Sequence, residues 1–98
     1  MSISSTKPFF VRVKCQLGKT YTVALAIMDK IEETTAVYST AGKYDLLVKF
    51  EIPMEQGFGQ FVNATLHQIE GIIDTNTIIV FSAFARDTNN DDAARLAE

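Results

Sequence analysis

Basic clusters, paired cysteines and long apolar runs are all missing from this sequence, and each absence removes a class of protein. Among 98 residues there is one cysteine, Cys15. It cannot form a disulfide within the chain, so a reducing compartment, the cytoplasm, is the expected location. The opening MSISSTKP is polar and unlike a secretory leader. No stretch approaches the ~18 consecutive apolar residues of a membrane helix, so no membrane partner is expected. Nine Lys and Arg are scattered through a chain of net charge −3. Without a basic footprint for phosphates, direct nucleic-acid binding is not expected. His67 is the single histidine, and no His, Cys or carboxylate cluster surrounds it, so neither a metal site nor a cofactor is expected. No nucleophile stands beside a base and no acid–base pair is evident. The chain therefore reads as a non-enzyme with no catalytic residues.

What remains is an ordinary globular composition, 47% apolar and 21% charged, of single-domain length. Residues 1–8 read as a flexible leader, 9–84 as the folded domain and 85–98 as a polar tail, disordered or a frayed helix. In FFVRVKC, Phe9, Val11, Val13 and Cys15 alternate with Phe10, Arg12 and Lys14, the period of a strand. Cys15 thereby joins the inward set as a small core residue. TYTVALAIMDKIEE predicts a helix with Tyr21, Ala24, Leu25, Met28 and Ile31 as its buried stripe and Thr20 as N-cap. Thr34 to Thr40 reads as a second strand. In YDLLVKFEI, the inward set is Tyr44, Leu46, Val48, Phe50 and Ile52, with Asp45, Leu47, Lys49 and Glu51 opposite, and Pro53 ends the strand. MEQGFGQFVNATLHQIEG predicts a second helix buried along Phe58, Phe61, Val62, Thr65 and Ile69, with Gly71 at its C-terminus. IIDTNTIIVFSAF is the last strand.

The order is βαββαβ, an α+β, ferredoxin-like fold: a four-stranded antiparallel sheet with two helices on one face. A sheet covered on one side should alternate apolar and polar, yet Ile78, Ile79, Val80 and Phe81 are apolar on both faces, and Phe10 and Leu47 point away from the helices. A second copy is the economical cover, which predicts a homodimer with sheets face to face, a dimeric α+β barrel. Other proteins of this topology need features not seen here. An acylphosphatase needs a glycine-rich loop with an arginine, where this chain has QLGKTY. A copper chaperone needs a Cys-x-x-Cys pair, and an RNA-recognition module needs aromatic- and glycine-rich central strands.

One loop stands out. In YSTAGKYDLLVKFEIP, the carboxylate of Asp45 opens an apolar strand three residues after Gly42. The Gly-x-Tyr-Asp turn (Gly42, Tyr44, Asp45) and a Gly-hydrophobic-x-x-Thr-x-Thr pattern (Gly71, Ile72, Thr75, Thr77), at this spacing and in this topology, resemble the effector-binding (RAM) domain of Lrp/AsnC transcriptional regulators. The resemblance runs from about Phe9 to Phe84. Full-length members begin with a DNA-binding helix-turn-helix; only eight residues precede Phe9, so the resemblance is to a stand-alone form of the domain. It implies an amino-acid or other small effector, a homodimer that assembles further, often into rings of dimers, and a full-length Lrp/AsnC regulator as a partner in mixed assemblies.

The resemblance also implies an effector site near contacts between dimers, lined by Gly42, Tyr44, Asp45, Thr75 and Thr77. Physical chemistry is compatible. A carboxylate such as Asp45 can hold an ammonium, backbone near Gly42 can approach a ligand closely, and the threonine hydroxyls donate or accept. Other readings stay open at this point. Gly42 serves the turn whether or not a ligand binds. Asp45 can accept hydrogen bonds within its own loop, Tyr44 can be core, and Thr75 and Thr77 are good β-formers. For the whole chain, a small dimeric α+β-barrel enzyme and a ligand-independent oligomeric scaffold are the alternative functions.

Overall fold

The structure is a computed structural model in which residues 5–81 are described. Strand β1 (Thr6–Cys15) leads through a short turn into helix α1 (Thr20–Lys30). Strands β2 (Thr34–Ser39) and β3 (Leu46–Pro53) follow, then helix α2 (Phe58–Ala64), a single tighter helical turn (Leu66–Gln68) and strand β4 (Ile72–Ile79). The four strands form one antiparallel sheet in the order β2-β3-β1-β4. This is the expected βαββαβ arrangement with β1 and β3 at the centre.

Period-two alternation in the central strands makes the core. Phe9, Val11, Val13 and Cys15 from β1 are buried with Leu46, Val48, Phe50 and Ile52 from β3. Four aromatic rings tie sheet to α2: Phe9 meets Phe50, Phe58 and Phe61 at centroid distances of 5.4, 4.8 and 5.9 Å, and Phe50 meets Phe61 at 5.0 Å. Such tilted and edge-on pairings add to the stabilisation from area burial alone.

Several boundaries and faces differ from expectation. Strand β1 begins at Thr6, so residues 6–8 of the segment read as a leader pair with Pro53, Ile52 and Glu51. Residues 1–4 and the tail 85–98 lie outside the described residues. The last strand ends at Ile79; Val80 and Phe81 carry the chain out of it, and 82–84 fall outside the description.

The stripe expected on α1 holds only at Ala24, which packs against the core, and at the buried Ile31. Tyr21, Leu25 and Met28 are 77%, 52% and 52% exposed, whereas Val23, Ile27 and Ile31 are buried. TYTVALAIM is apolar around most of its circumference, so periodicity alone defines no single face. Close packing decides. A Cβ on Gly71 would lie 2.9 Å from Val23 Cγ2, so the chain entering β4 passes directly over the Val23 face. Nor is Thr20 the N-cap. Lys19 holds that position without a side-chain cap, and its carbonyl accepts from the Val23 N–H at 2.9 Å.

The second helix is shorter than expected. It starts only after Gly57, and the Thr65 hydroxyl donates to the Phe61 carbonyl at 2.7 Å while the chain tightens into the turn at Leu66. Leu66, absent from the expected stripe, is fully buried by that change of pitch. Gly71 then takes a φ of +100°, which reverses the chain into β4.

Candidate functional site

Among the described residues, no helix covers the other sheet face. Its central positions are Phe10, Arg12 and Lys14 on β1, with Lys49 and Ile78 flanking Phe10 and with Leu47 and Asn76 flanking Arg12. The loop joining β2 to β3 rises at one end of this face. It is closed on itself: the Thr40 N–H donates to the Asp45 carbonyl at 2.9 Å, and the Thr40 hydroxyl donates to the Tyr44 carbonyl at 2.9 Å. Gly42 supplies the left-handed backbone, φ +104°, at the exposed tip. The Lys14 ammonium donates to the Lys43 carbonyl at 3.3 Å and ties the loop to β1.

Tyr44 is not one of the inward-facing strand residues. Strand β3 begins at Leu46, so alternation does not extend back to the tyrosine. Its half-buried ring instead stands beside Arg12, whose guanidinium carbon lies 5.0 Å from the ring centroid, with the Lys43 ammonium at 5.9 Å. Arg12, Leu47 and Asn76 form the floor of a recess of about 440 Å³ here, and Thr40, Ala41, Lys43 and Tyr44 form its wall.

Asp45 faces elsewhere. Its Oδ2 accepts from the Cys15 backbone N–H at 2.7 Å, while its own N–H donates to the Val13 carbonyl at 2.9 Å. Pairing between β1 and β3 stops at Val13 opposite Leu46. The carboxylate takes the next N–H of β1, extending the ladder by one rung with a side chain. Its hydrogen bond thus reaches across to another strand rather than staying within its own loop. Asp45, Cys15, Leu17 and Ile73 border a separate recess of about 270 Å³. Burial, and then the charge of Asp45, push the Cys15 thiol above its ordinary pKa, with Thr20 acting weakly in the opposite sense.

The threonines occupy a third place. Thr75 and Thr77 lie opposite Val13 and Val11, on the helix side of the edge strand β4. The Thr75 hydroxyl sits 3.3 Å from His67 Nε2, whose Nδ1 is 2.6 Å from Asn63 Oδ1, beside a recess of about 180 Å³. Thr77 is exposed. Within one subunit, then, Gly42 and Tyr44 share a loop, Asp45 turns to a second recess, and the threonines border the far edge.

Sequence reasoning missed Arg12 and Asn76. Arg12 Nε and Nη2 both donate to Asn76 Oδ1, at 3.1 and 2.6 Å, across 64 positions of sequence. The available signal was an arginine on the outward face of a central strand, between Phe10 and Lys14; the strand register that brings Asn76 to it was not legible. Among the described residues, no group of three or more His, Cys, Asp or Glu could hold a metal, and no helix is long and apolar enough to cross a membrane.

With this geometry in view, the likenesses to known proteins become specific. Residues 9–90 match the family model of the Lrp/AsnC ligand binding domain, and the chain belongs to that family. It is 32% identical over 79 residues to the HTH-type transcriptional regulator FL11 of Pyrococcus furiosus, a match covering 81% of this chain and 51% of the regulator. The chain thus spans about half the length of its curated relatives. The fold is similar to the crystal structure of FFRP-DM1, with TM-score 0.69, 25% identity and coverage of 76% of this chain and 99% of that one. It is similar, too, to the transcriptional regulator NMB0573/L-Met complex from Neisseria meningitidis, with TM-score 0.69, 21% identity and coverage of 81% and 52%. Its relatives are transcriptional regulators, which places it in an effector-binding regulatory family rather than a family of enzymes.

Proposed function

We propose that this chain is a cytoplasmic amino-acid-binding and assembly module of the Lrp/AsnC family. It forms a homodimer through the open sheet face and rings of dimers through the loop edges, and joins a full-length Lrp/AsnC regulator in mixed assemblies. The observation that carries the reading is the match of residues 9–90 to a ligand-binding domain. The FFRP-DM1 chain, matched over 99% of its length, supports a domain working at this size.

Placement of the five candidate residues supports a shared site. Gly42, Tyr44, Asp45, Thr75 and Thr77 do not converge in one subunit, so a ligand touching all of them draws on more than one copy. Among the described residues, Asp45 commits only its Oδ2, to the Cys15 N–H, and the other carboxylate oxygen is the partner for the ligand's ammonium. The fold shared with the NMB0573/L-Met complex puts methionine among the first ligands to try.

A thermal-shift screen of the full chain against the twenty amino acids at millimolar concentration tests the reading. Ligand at ten times its Kd adds ~1.4 kcal/mol, a shift of several degrees for a domain of this size. A selective shift supports the sensor. Uniform silence from an oligomeric chain refutes it in favour of a ligand-independent scaffold.

A further inference from the structure

We infer that the recess on the open sheet face is a second ligand site, one that takes a small carboxylate with an apolar substituent through Arg12. The inference goes beyond the amino-acid reading: it shares Tyr44 and its loop with that reading but uses neither Asp45 nor the threonines, and it stands if Asp45 proves purely structural.

Arg12 is held as a recognition arginine is held. Two of its N–H groups go to Asn76 Oδ1, and its guanidinium lies against the Tyr44 ring. Stacking and hydrogen bonding at one edge fix the plane of the fork, which lowers the entropy lost when an anion arrives. A guanidinium has five N–H donors, so those not aimed at Asn76 remain for a ligand. A carboxylate matches them in bidentate geometry.

Charge points the same way. Arg12 and Lys43 both stand within 6 Å of the Tyr44 ring, and no carboxylate among the described residues pairs with Arg12. Asp45, next to Tyr44 in sequence, is turned into the other recess and bound to the Cys15 N–H. Among the described residues, two cations therefore share one aromatic wall without a paired carboxylate, an arrangement that an incoming anion relieves. The rest of the lining is less polar. Leu47 in the floor and Ala41 and the Tyr44 ring in the wall can receive a short alkyl group, and about 440 Å³ is within the range of small-molecule sites.

The position adds a link to assembly. Arg12, Leu47 and Asn76 lie across the middle of the sheet, so a second copy covering this face would enclose the recess. Excluding water strengthens the ion pair, and by linkage the bound anion then favours the dimer.

The test is a titration of this 98-residue chain, followed by 1H–15N NMR in phosphate-free buffer of low ionic strength. Hexanoate is the probe, with hexanamide as its uncharged counterpart and inorganic phosphate as an anion lacking an alkyl group. Hexanoate is expected to shift the Arg12 Nε–H and the amides of residues 40–44, and hexanamide is not. Arg12→Gln should weaken hexanoate about 10- to 100-fold, the range of a charged hydrogen bond. Arg12→Lys, which keeps the charge and tests the fork without risk to the fold, should weaken it less but measurably. Asn76→Ala should fall between these and wild type, with the Arg12 Nε–H signal broadened, because Asn76 is a positioning residue. Equal binding of hexanamide, phosphate binding as tight as hexanoate, or an unchanged response in Arg12→Lys overturns the inference. So does silence towards hexanoate combined with a weaker dimer in Arg12→Gln, which would assign the guanidinium to a carboxylate of a second copy.

Discussion

Phe9 and Phe10 are neighbours in the chain and stand in opposite environments. Phe9 is fully buried among three other phenylalanine rings, while Phe10 lies half-buried between Lys49 and Ile78 on a face that no helix among the described residues covers. The same contrast runs along β1 from Phe9 onward and along β3. One set of alternate residues is wholly apolar and closes the domain. The other mixes Phe10 and Leu47 with Arg12, Lys14 and Lys49, too apolar for plain solvent exposure and too charged for an interior. Folding is assigned to one face; the recognition of ligands or copies that we propose falls to the other.

The largest effect should come from testing that division directly. Phe50→Ala removes a ring that packs against Phe9 and Phe61 and should cost about 3–5 kcal/mol in denaturant titration. Phe10→Lys should change unimolecular stability by only about 0.5 kcal/mol. It should, however, lower self-association measured by sedimentation. A Phe10→Lys chain as unstable as Phe50→Ala would erase the distinction between the faces.

Gly71→Ala probes the helix-covered side at a different point. It combines a backbone at φ +100° with a Cβ 2.9 Å from Val23 Cγ2, and a loss of about 2–4 kcal/mol is expected from strain plus overpacking. Gly42→Ala, with a φ of +104° but nothing within 4 Å of its Cβ, should lose only about 1 kcal/mol, the backbone part alone.

Asp45 sits where the two regions meet, and two substitutions separate its roles. Asp45→Ala leaves the Cys15 N–H unpaired and should cost about 1–3 kcal/mol. Asp45→Asn retains an acceptor oxygen and should recover most of that stability while weakening binding of any ammonium-bearing ligand about tenfold. If Asn restores both stability and amino-acid affinity, the carboxylate is purely structural.

The smallest effect is in pH. The Cys15 thiol is held above its ordinary pKa by burial and then by Asp45. The folded chain therefore keeps its proton where the unfolded chain loses it. Stability is full below the unfolded thiol's pKa, about 8.5, and declines as pH rises from there towards the folded value. Iodoacetamide alkylation should lag a free thiol across that window. In Asp45→Asn the lag should shrink without vanishing, since burial persists; an unchanged profile would remove Asp45 as a cause.

Legibility followed the strength of local pattern. Period-two alternation in FFVRVKC and LLVKFEI identified both central strands and every buried residue in them, since each successive side chain must point to the opposite face. Helix α1 met the same approach only in part, because Tyr21, Leu25 and Met28 lead to Ile31 as regularly as Val23 and Ile27 do, and only contact with the sheet and with Gly71 chose between them. Family motifs led to the Gly42–Asp45 loop, but not to the fact that Tyr44 and Asp45, adjacent in sequence, line different recesses.

By itself, then, the sequence determined the βαββαβ order, the α+β class, the two-faced sheet and the family, because alternation, turn residues and short motifs are properties of neighbours in the chain. Only the tertiary structure decided that Arg12 meets Asn76 and Tyr44, and that Asp45 completes a ladder at Cys15. Those contacts follow from strand register, which brings together residues tens of positions apart and is set by the packing of the whole sheet against its helices.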